Sequence, residues 1–130
     1  MTDEPTKALI KYRIERAEET YKEALLMRAE GHWNTCANRL YYACFYAVSA
    51  LLIRYGLSSS RHSGIKSLFN KNIIKKKILE SARGKLYNQL FEARQEGDYV
   101  DFVTFGSDLV EPWVPMVKEF IDQIKQLLEK

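Results

Sequence analysis

Between Gly31 and Gly56 the chain carries a run with almost no polar face. Ala37, Leu40, Tyr41, Cys44, Phe45, Val48, Leu51, Leu52 and Tyr55 cover most of the circumference of a helix running from about Asn34 to Tyr55. A helix this apolar either forms the centre of a fold or lies at a subunit interface. The remaining segments must therefore be arranged around it. Its longest apolar stretch, Ala43 to Ile53, is too short to span a bilayer and contains Ser49. Asp3 and Glu4 stand where a secretory signal would be basic. The expectation is a soluble, cytoplasmic chain with no membrane partner.

Three further long helical patterns surround that run. The first extends from about Asp3 to Glu30, with Thr2 or Asp3 as cap, Pro5 in the first turn and Gly31 as the stop. Ile10, Ile14, Ala17, Tyr21, Ala24 and Leu25 recur on it at steps of three and four, which predicts one buried stripe. Another runs from about Ile78 to Glu96 through Leu79, Ala82, Leu86, Leu90 and Phe91, with Gly97 as its expected stop. The last starts near Glu111-Pro112, accepts Pro115 in its first turn and continues through Val117, Phe120, Ile121, Ile124 and Leu128. Ser63-Gly64 opens a short helix carrying Ile65, Leu68, Phe69 and Ile73. The segment from Asp98 to Ser107 holds three aromatic residues and is expected to pack down rather than float. With 130 residues, 46 % apolar and only six glycines and three prolines, the chain fits one domain, residues 1–130. The fold class is all-α: an antiparallel four-helix up-down bundle with an additional short helix.

Cys36 and Cys44 lie eight residues apart on one helix, about 12 Å along its axis. That exceeds the roughly 7 Å reach of a disulfide, and two reduced thiols are expected. No CxxC, HExxH or paired ExxH spacing is present, so no metal site is expected. Glycine-rich phosphate loops and GxSxG elbows are missing as well, and no cofactor is implied.

The net charge is only +3, but it is unevenly spread. Arg61 to Lys85 holds eight basic residues against Glu80 alone, whereas Glu92 to Glu111 holds six acids against Arg94. The basic stretch, with Lys75, Lys76 and Lys77 in succession, is a candidate surface for an anionic partner or simply a solvated turn. His32 reads as a structural residue at a helix junction. Arg61 and His62, at the opening of the short helix, offer exposed N–H groups and side chains suited to a phosphate; the alternative is that His62 only caps the turn. Arg94 lies close to Asp98 and Tyr99. It can offer a planar fork to a phosphate with the tyrosine hydroxyl beside it. The simpler reading is an ion pair with Asp98.

Three blocks occur in order: Arg39, Tyr41, Tyr42, Ala43, Phe45, Tyr46, Ala47, Ala50, Leu51 and Leu52; then His62, Ser63, Gly64, Ile65, Leu68 and Phe69; then Phe91, Arg94, Gln95, Glu96, Asp98 and Tyr99. Together they resemble the HEPN domain superfamily, closest to its small stand-alone prokaryotic branch, over roughly Ile10 to Ile124. The resemblance implies a helical bundle that commonly forms homodimers. It also implies action on RNA or a nucleotide, as the toxin-like partner of a minimal nucleotidyltransferase. Catalytic relatives are metal-independent ribonucleases that use an arginine and, after four to six residues, a histidine. Arg94 matches the arginine, but Tyr99 stands five residues on, and no histidine follows His62. An ordinary tyrosine, with a pKa near 10, is a poor base at neutral pH. Arg94, Tyr99 and His62 are thus the candidate catalytic residues. Arg94, Arg61, His62, Lys75, Lys76 and Lys77 are candidates for holding phosphate, and Asp98, Arg39 and Tyr42 for supporting the site. Tyr99 is also a candidate acceptor of a nucleotidyl group. A weak ribonuclease and a non-catalytic dimerising scaffold are the alternatives.

Overall fold

The structure, a computed structural model, describes residues 3–130. Six α-helices follow one another: α1 (Glu4–Ala29), α2 (Trp33–Arg54), α3 (His62–Phe69), α4 (Ser81–Tyr99), α5 (Ser107–Val110) and α6 (Trp113–Leu128). A single π-helical turn, Asn70–Ile74, prolongs α3. No strand occurs among the described residues. The long helices α1, α2, α4 and α6 form the expected bundle. Asp3 caps α1 by accepting a hydrogen bond from the Thr6 N–H at 2.8 Å; Thr2, the alternative cap, lies outside the described residues.

The apolar run becomes the hub. α2 packs against α1, α4 and α6, and twelve of its 22 residues are buried. Its two ends turn at Gly31 and Gly56, whose φ angles of 74° and 75° place them in the left-handed region that glycine enters without penalty. By length and composition α2 could cross a membrane, with a mean hydropathy of 1.2, but 67 % of that window is buried against its neighbours. On α1 the buried line is Ala17, Thr20 and Ala24, while Ile10, Ile14, Tyr21 and Leu25 are only half-buried at its edges. The small residues let α1 lie close to α2. Cys36 and Cys44 are buried and unbridged; burial pushes the Cys36 thiol up to about 11, far from a reactive thiolate.

Three expectations are corrected. Gly97 does not stop α4, which begins at Ser81 rather than Ile78 and continues to Tyr99. Gly97 serves a close approach instead: a Cβ there would come within 2.9 Å of the Phe105 ring. The segment after α4 packs down at Phe105, which docks on Gly97 while Asn34 holds its backbone, and in part at Val103. Asn34 donates to the Val103 carbonyl at 2.9 Å and accepts from the Phe105 N–H at 2.7 Å. Tyr99 is largely exposed and Phe102 fully so. The sequence pattern also gave no sign of α5, a single turn leading into α6.

Candidate functional site

Arg94 faces inward from α4 between α2 and α3. Its side chain is only 11 % exposed, and its one carboxylate neighbour among the described residues is Asp98, with Nε 3.7 Å from Oδ2. Extension of α4 through Gly97 makes this a pair on adjacent helical turns, as the simpler sequence reading had it. The separation is nevertheless too long for a hydrogen bond, and Nε is buried without a hydrogen-bond partner among the described residues. The guanidinium instead lies over three rings, its central carbon 5.6 Å from the Tyr41 centroid, 5.5 Å from Tyr42 and 5.2 Å from Tyr99. Its Nη2 donates to the Tyr42 hydroxyl at 3.1 Å and the Tyr99 hydroxyl at 3.0 Å. Cation–π contacts of this kind are worth about 0.5–2 kcal/mol each. They hold the cation in place without neutralising it.

Asp98 is itself held from the other side. Asn38 on α2 donates to Asp98 Oδ2 at 2.8 Å. Arg39 in turn donates to Asn38 Oδ1 through Nε at 3.0 Å and Nη2 at 2.8 Å. Arg39 reaches Glu23 on α1 at 3.1 Å and lies 5.2 Å above the Tyr42 ring. A polar relay, Glu23–Arg39–Asn38–Asp98, thus runs across α1, α2 and α4 to the mouth of the cluster. Arg39, Tyr42 and Asp98 sit where supporting residues would be needed.

His62 begins α3 and swings back onto α2. Its Nδ1 lies 2.7 Å from the Tyr41 hydroxyl, its ring stacks on Phe45 at 4.4 Å, and it meets Tyr42 edge-on at 5.5 Å. Burial, followed by the Arg94 charge, pulls its pKa below the ordinary histidine value. The imidazole is therefore neutral at neutral pH. Gly64, one turn in, lets the connection fold back: a Cβ there would collide with the Ser59 side chain. Arg61 precedes His62 as the exposed N-cap residue of α3. His32 is exposed at the α1–α2 junction and takes no part.

Arg94, Tyr99 and His62, spread over 38 positions of the sequence, therefore share one aromatic box. Lys75, Lys76 and Lys77 do not join it. They are exposed on the turn after the π-helical segment, where Lys77 takes a left-handed φ of 60°. Lys75 and Lys77 border a groove of about 610 Å³ with Ile74, Ile78, Leu79 and Leu127 beneath and Lys130 opposite. Ile74 touches α4 at Gly84, ten residues before Arg94, or about 15 Å along the helix.

The sequence reading missed Asn38 and gave Tyr41 no role beyond packing. A signal for both existed: Asn34, Asn38, Tyr41 and Phe45 recur at helical spacing on one face of α2, and asparagine is out of place in so apolar a helix. Among the described residues, no three His, Cys, Asp or Glu side chains are placed to hold a metal ion.

A family model described as the HEPN domain matches residues 10–127. The chain is 40 % identical over 121 residues to a "UPF0332 protein" of Thermotoga maritima, covering 93 % of this chain and 92 % of that one. Two proteins of Methanocaldococcus jannaschii, named "Putative toxin MJ0142" and "Putative toxin MJ0605", are each 26 % identical to it. The first alignment covers 88 % of this chain and 78 % of the relative, the second 90 % and 87 %.

Proposed function

The chain belongs to the HEPN domain family, in its small stand-alone prokaryotic form, and from that premise we propose that it is a toxin-like protein that binds a nucleotide or RNA phosphate at Arg94. The observation that carries this reading is the state of the guanidinium. It is almost withdrawn from water, lies 3.7 Å from the Asp98 carboxylate and keeps a buried Nε without a hydrogen-bond partner among the described residues. A buried cation so weakly met is costly unless an anion completes it. Tyr42 and Tyr99 offer faces for a base and hydroxyls for a phosphate.

The names of the two Methanocaldococcus relatives support the toxin-like role, and the family supports a minimal nucleotidyltransferase as the partner. Tyr99, 69 % exposed with its hydroxyl beside Arg94, is a reachable acceptor for nucleotidyl transfer. The half-buried rings of Tyr42, Phe45 and Tyr46 on α2 suit a homodimer contact. In this reading the chain acts in the cytoplasm as one domain, residues 1–130. Proximity of His62 to Arg94 favours one second reading, a weak ribonuclease that uses both.

Titration of wild type and Arg94→Ala with AMP and a short single-stranded RNA, alongside thermal melts, tests the proposal. The expected result is binding by wild type, about a hundredfold weaker in the variant, with Tm changed by only a few degrees. Asp98 keeps its Asn38 hydrogen bond in that variant and is not stranded. Unchanged binding together with a large loss of Tm would make Arg94 a structural residue and retire the proposal.

A further inference from the structure

We infer that Tyr41 fixes His62 as the neutral imidazole protonated on Nε2, so that the Nε2–H and the Arg94 guanidinium form a pair of donors for one phosphate group. The inference rests on the reading of Arg94 above and gives His62 a definite task in it.

The argument turns on which way the protons point. A tyrosine hydroxyl can donate to Nδ1 or accept from it, and the direction decides the tautomer. Tyr41 is fully buried, and so is Tyr87 on α4, whose ring centroid lies 5.8 Å away. The Tyr87 hydroxyl has no well-formed hydrogen bond among the described residues. Among the described residues the Tyr41 hydroxyl has one hydrogen-bond partner, His62 Nδ1, and burial pushes that hydroxyl up to about 12, so it keeps its hydrogen.

Two arrangements are possible. With Tyr41 donating to His62 Nδ1, the Tyr41 hydrogen has its acceptor. In the reverse order Nδ1–H donates to Tyr41, and the Tyr41 hydrogen is stranded in the core without an acceptor among the described residues. The first order avoids an unpaired buried donor. It leaves the imidazole hydrogen on Nε2.

Nε2 lies on the ring edge away from Tyr41. It makes no hydrogen bond among the described residues and is not among their buried unpaired atoms, so it reaches solvent. Stacking on Phe45 fixes the ring plane. From α2, Tyr41, Tyr42 and Phe45 face the ring; from α4 the charged neighbour is Arg94, while Lys66 on α3 lies instead over Phe91. His62 and Arg94 share the Tyr41 and Tyr42 rings as walls. A neutral N–H and a guanidinium that share two ring walls suit a phosphate oxyanion. With Nδ1 occupied and Nε2 already protonated, His62 is a donor and has no free lone pair to act as a base.

The chain has two histidines, which makes the test direct. Long-range ¹H–¹⁵N correlation at pH 7.5 reads the tautomer of each, and exposed His32 serves as the internal reference. The expected pattern is an almost pure Nε2–H tautomer for His62 and a mixture for His32, with His62 titrating below the ordinary histidine value. In Tyr41→Phe, His62 should relax to a mixture, and affinity for inorganic phosphate and AMP should fall several-fold with Arg94 intact. Tyr87→Phe, which removes a hydroxyl without a hydrogen-bond partner among the described residues, should leave the tautomer unchanged. An Nδ1–H tautomer, or a mixture in wild type, overturns the inference whatever Arg94→Ala does. A pure Nε2–H tautomer with no phosphate or AMP binding overturns the donor pair and, separately, the reading of Arg94. The wild-type spectrum decides the tautomer even if Tyr41→Phe fails to fold.

Discussion

The two cationic regions of this molecule sit toward opposite ends of α4 and differ in kind. Around Lys75–Lys77 the charges are many and exposed, set beside an apolar-floored groove. Around Arg94 there is one charge, 11 % exposed and walled by three tyrosines. The first region dominates the sequence and the second dominates the structure. Water already solvates an exposed lysine, so three in a row need no partner. A guanidinium taken out of water with one nitrogen unpaired leaves a demand that a ligand can meet. Local charge density is therefore a poor guide to where this chain binds, and burial of charge is a better one.

The contrast breaks most sharply at Gly84, where Ile74 seats the lysine turn on α4. A Cβ there would meet Ile74 at 2.9 and 3.1 Å and Asn70 Oδ1 at 3.2 Å. Gly84→Ala should cost about 1–3 kcal/mol in urea unfolding through overpacking. AMP affinity at Arg94 should be unchanged in the folded fraction. A parallel loss of AMP affinity would mean that the two ends of α4 act as one site.

Replacing Lys75, Lys76 and Lys77 with alanine should alter stability by no more than about 0.5 kcal/mol, as expected for exposed positions. If the turn adds contacts to RNA, the slope of log affinity against log salt should become shallower by roughly 0.7 per lost phosphate contact, with measurable binding remaining. Binding abolished in this triple variant, with Arg94 intact, would reverse the ranking of the two regions.

The smallest effect concerns pH. In the folded protein the His62 pKa lies below its ordinary value of 6.5, so below that value the unfolded chain takes up more protons than the native one. Stability should therefore be full above pH 6.5 and fall as the pH drops through it. Urea midpoints at pH 5.5 and 7.5 should differ more in wild type than in His62→Gln. Equal differences would remove His62 from the buried side of the comparison.

Much of this was legible from residue order alone. The all-α class, the hub position of α2, the Asp3 cap and the stops at Gly31 and Gly56 follow from spacing and from local backbone preferences. The family follows from three motif blocks. These features act over a turn or two of helix, where each residue's neighbours are its neighbours in sequence. Arg94 with Asp98 was legible for the same reason.

Gly97 shows where such reading ends. As a helix stop and as a seat for Phe105 it looks identical in sequence, and only the packed ring decides between them. The fate of Phe102, exposed while Phe105 is buried, was hidden in the same way. So was the hydrogen bond between Tyr41 and His62, across 21 positions. Residue types and their periods determined the helices, the family and the candidate side chains. Tertiary structure decided which candidates meet, because burial and hydrogen-bond direction depend on the side chains that neighbouring helices bring together. That is why His62 belongs with Arg94 and the lysines do not.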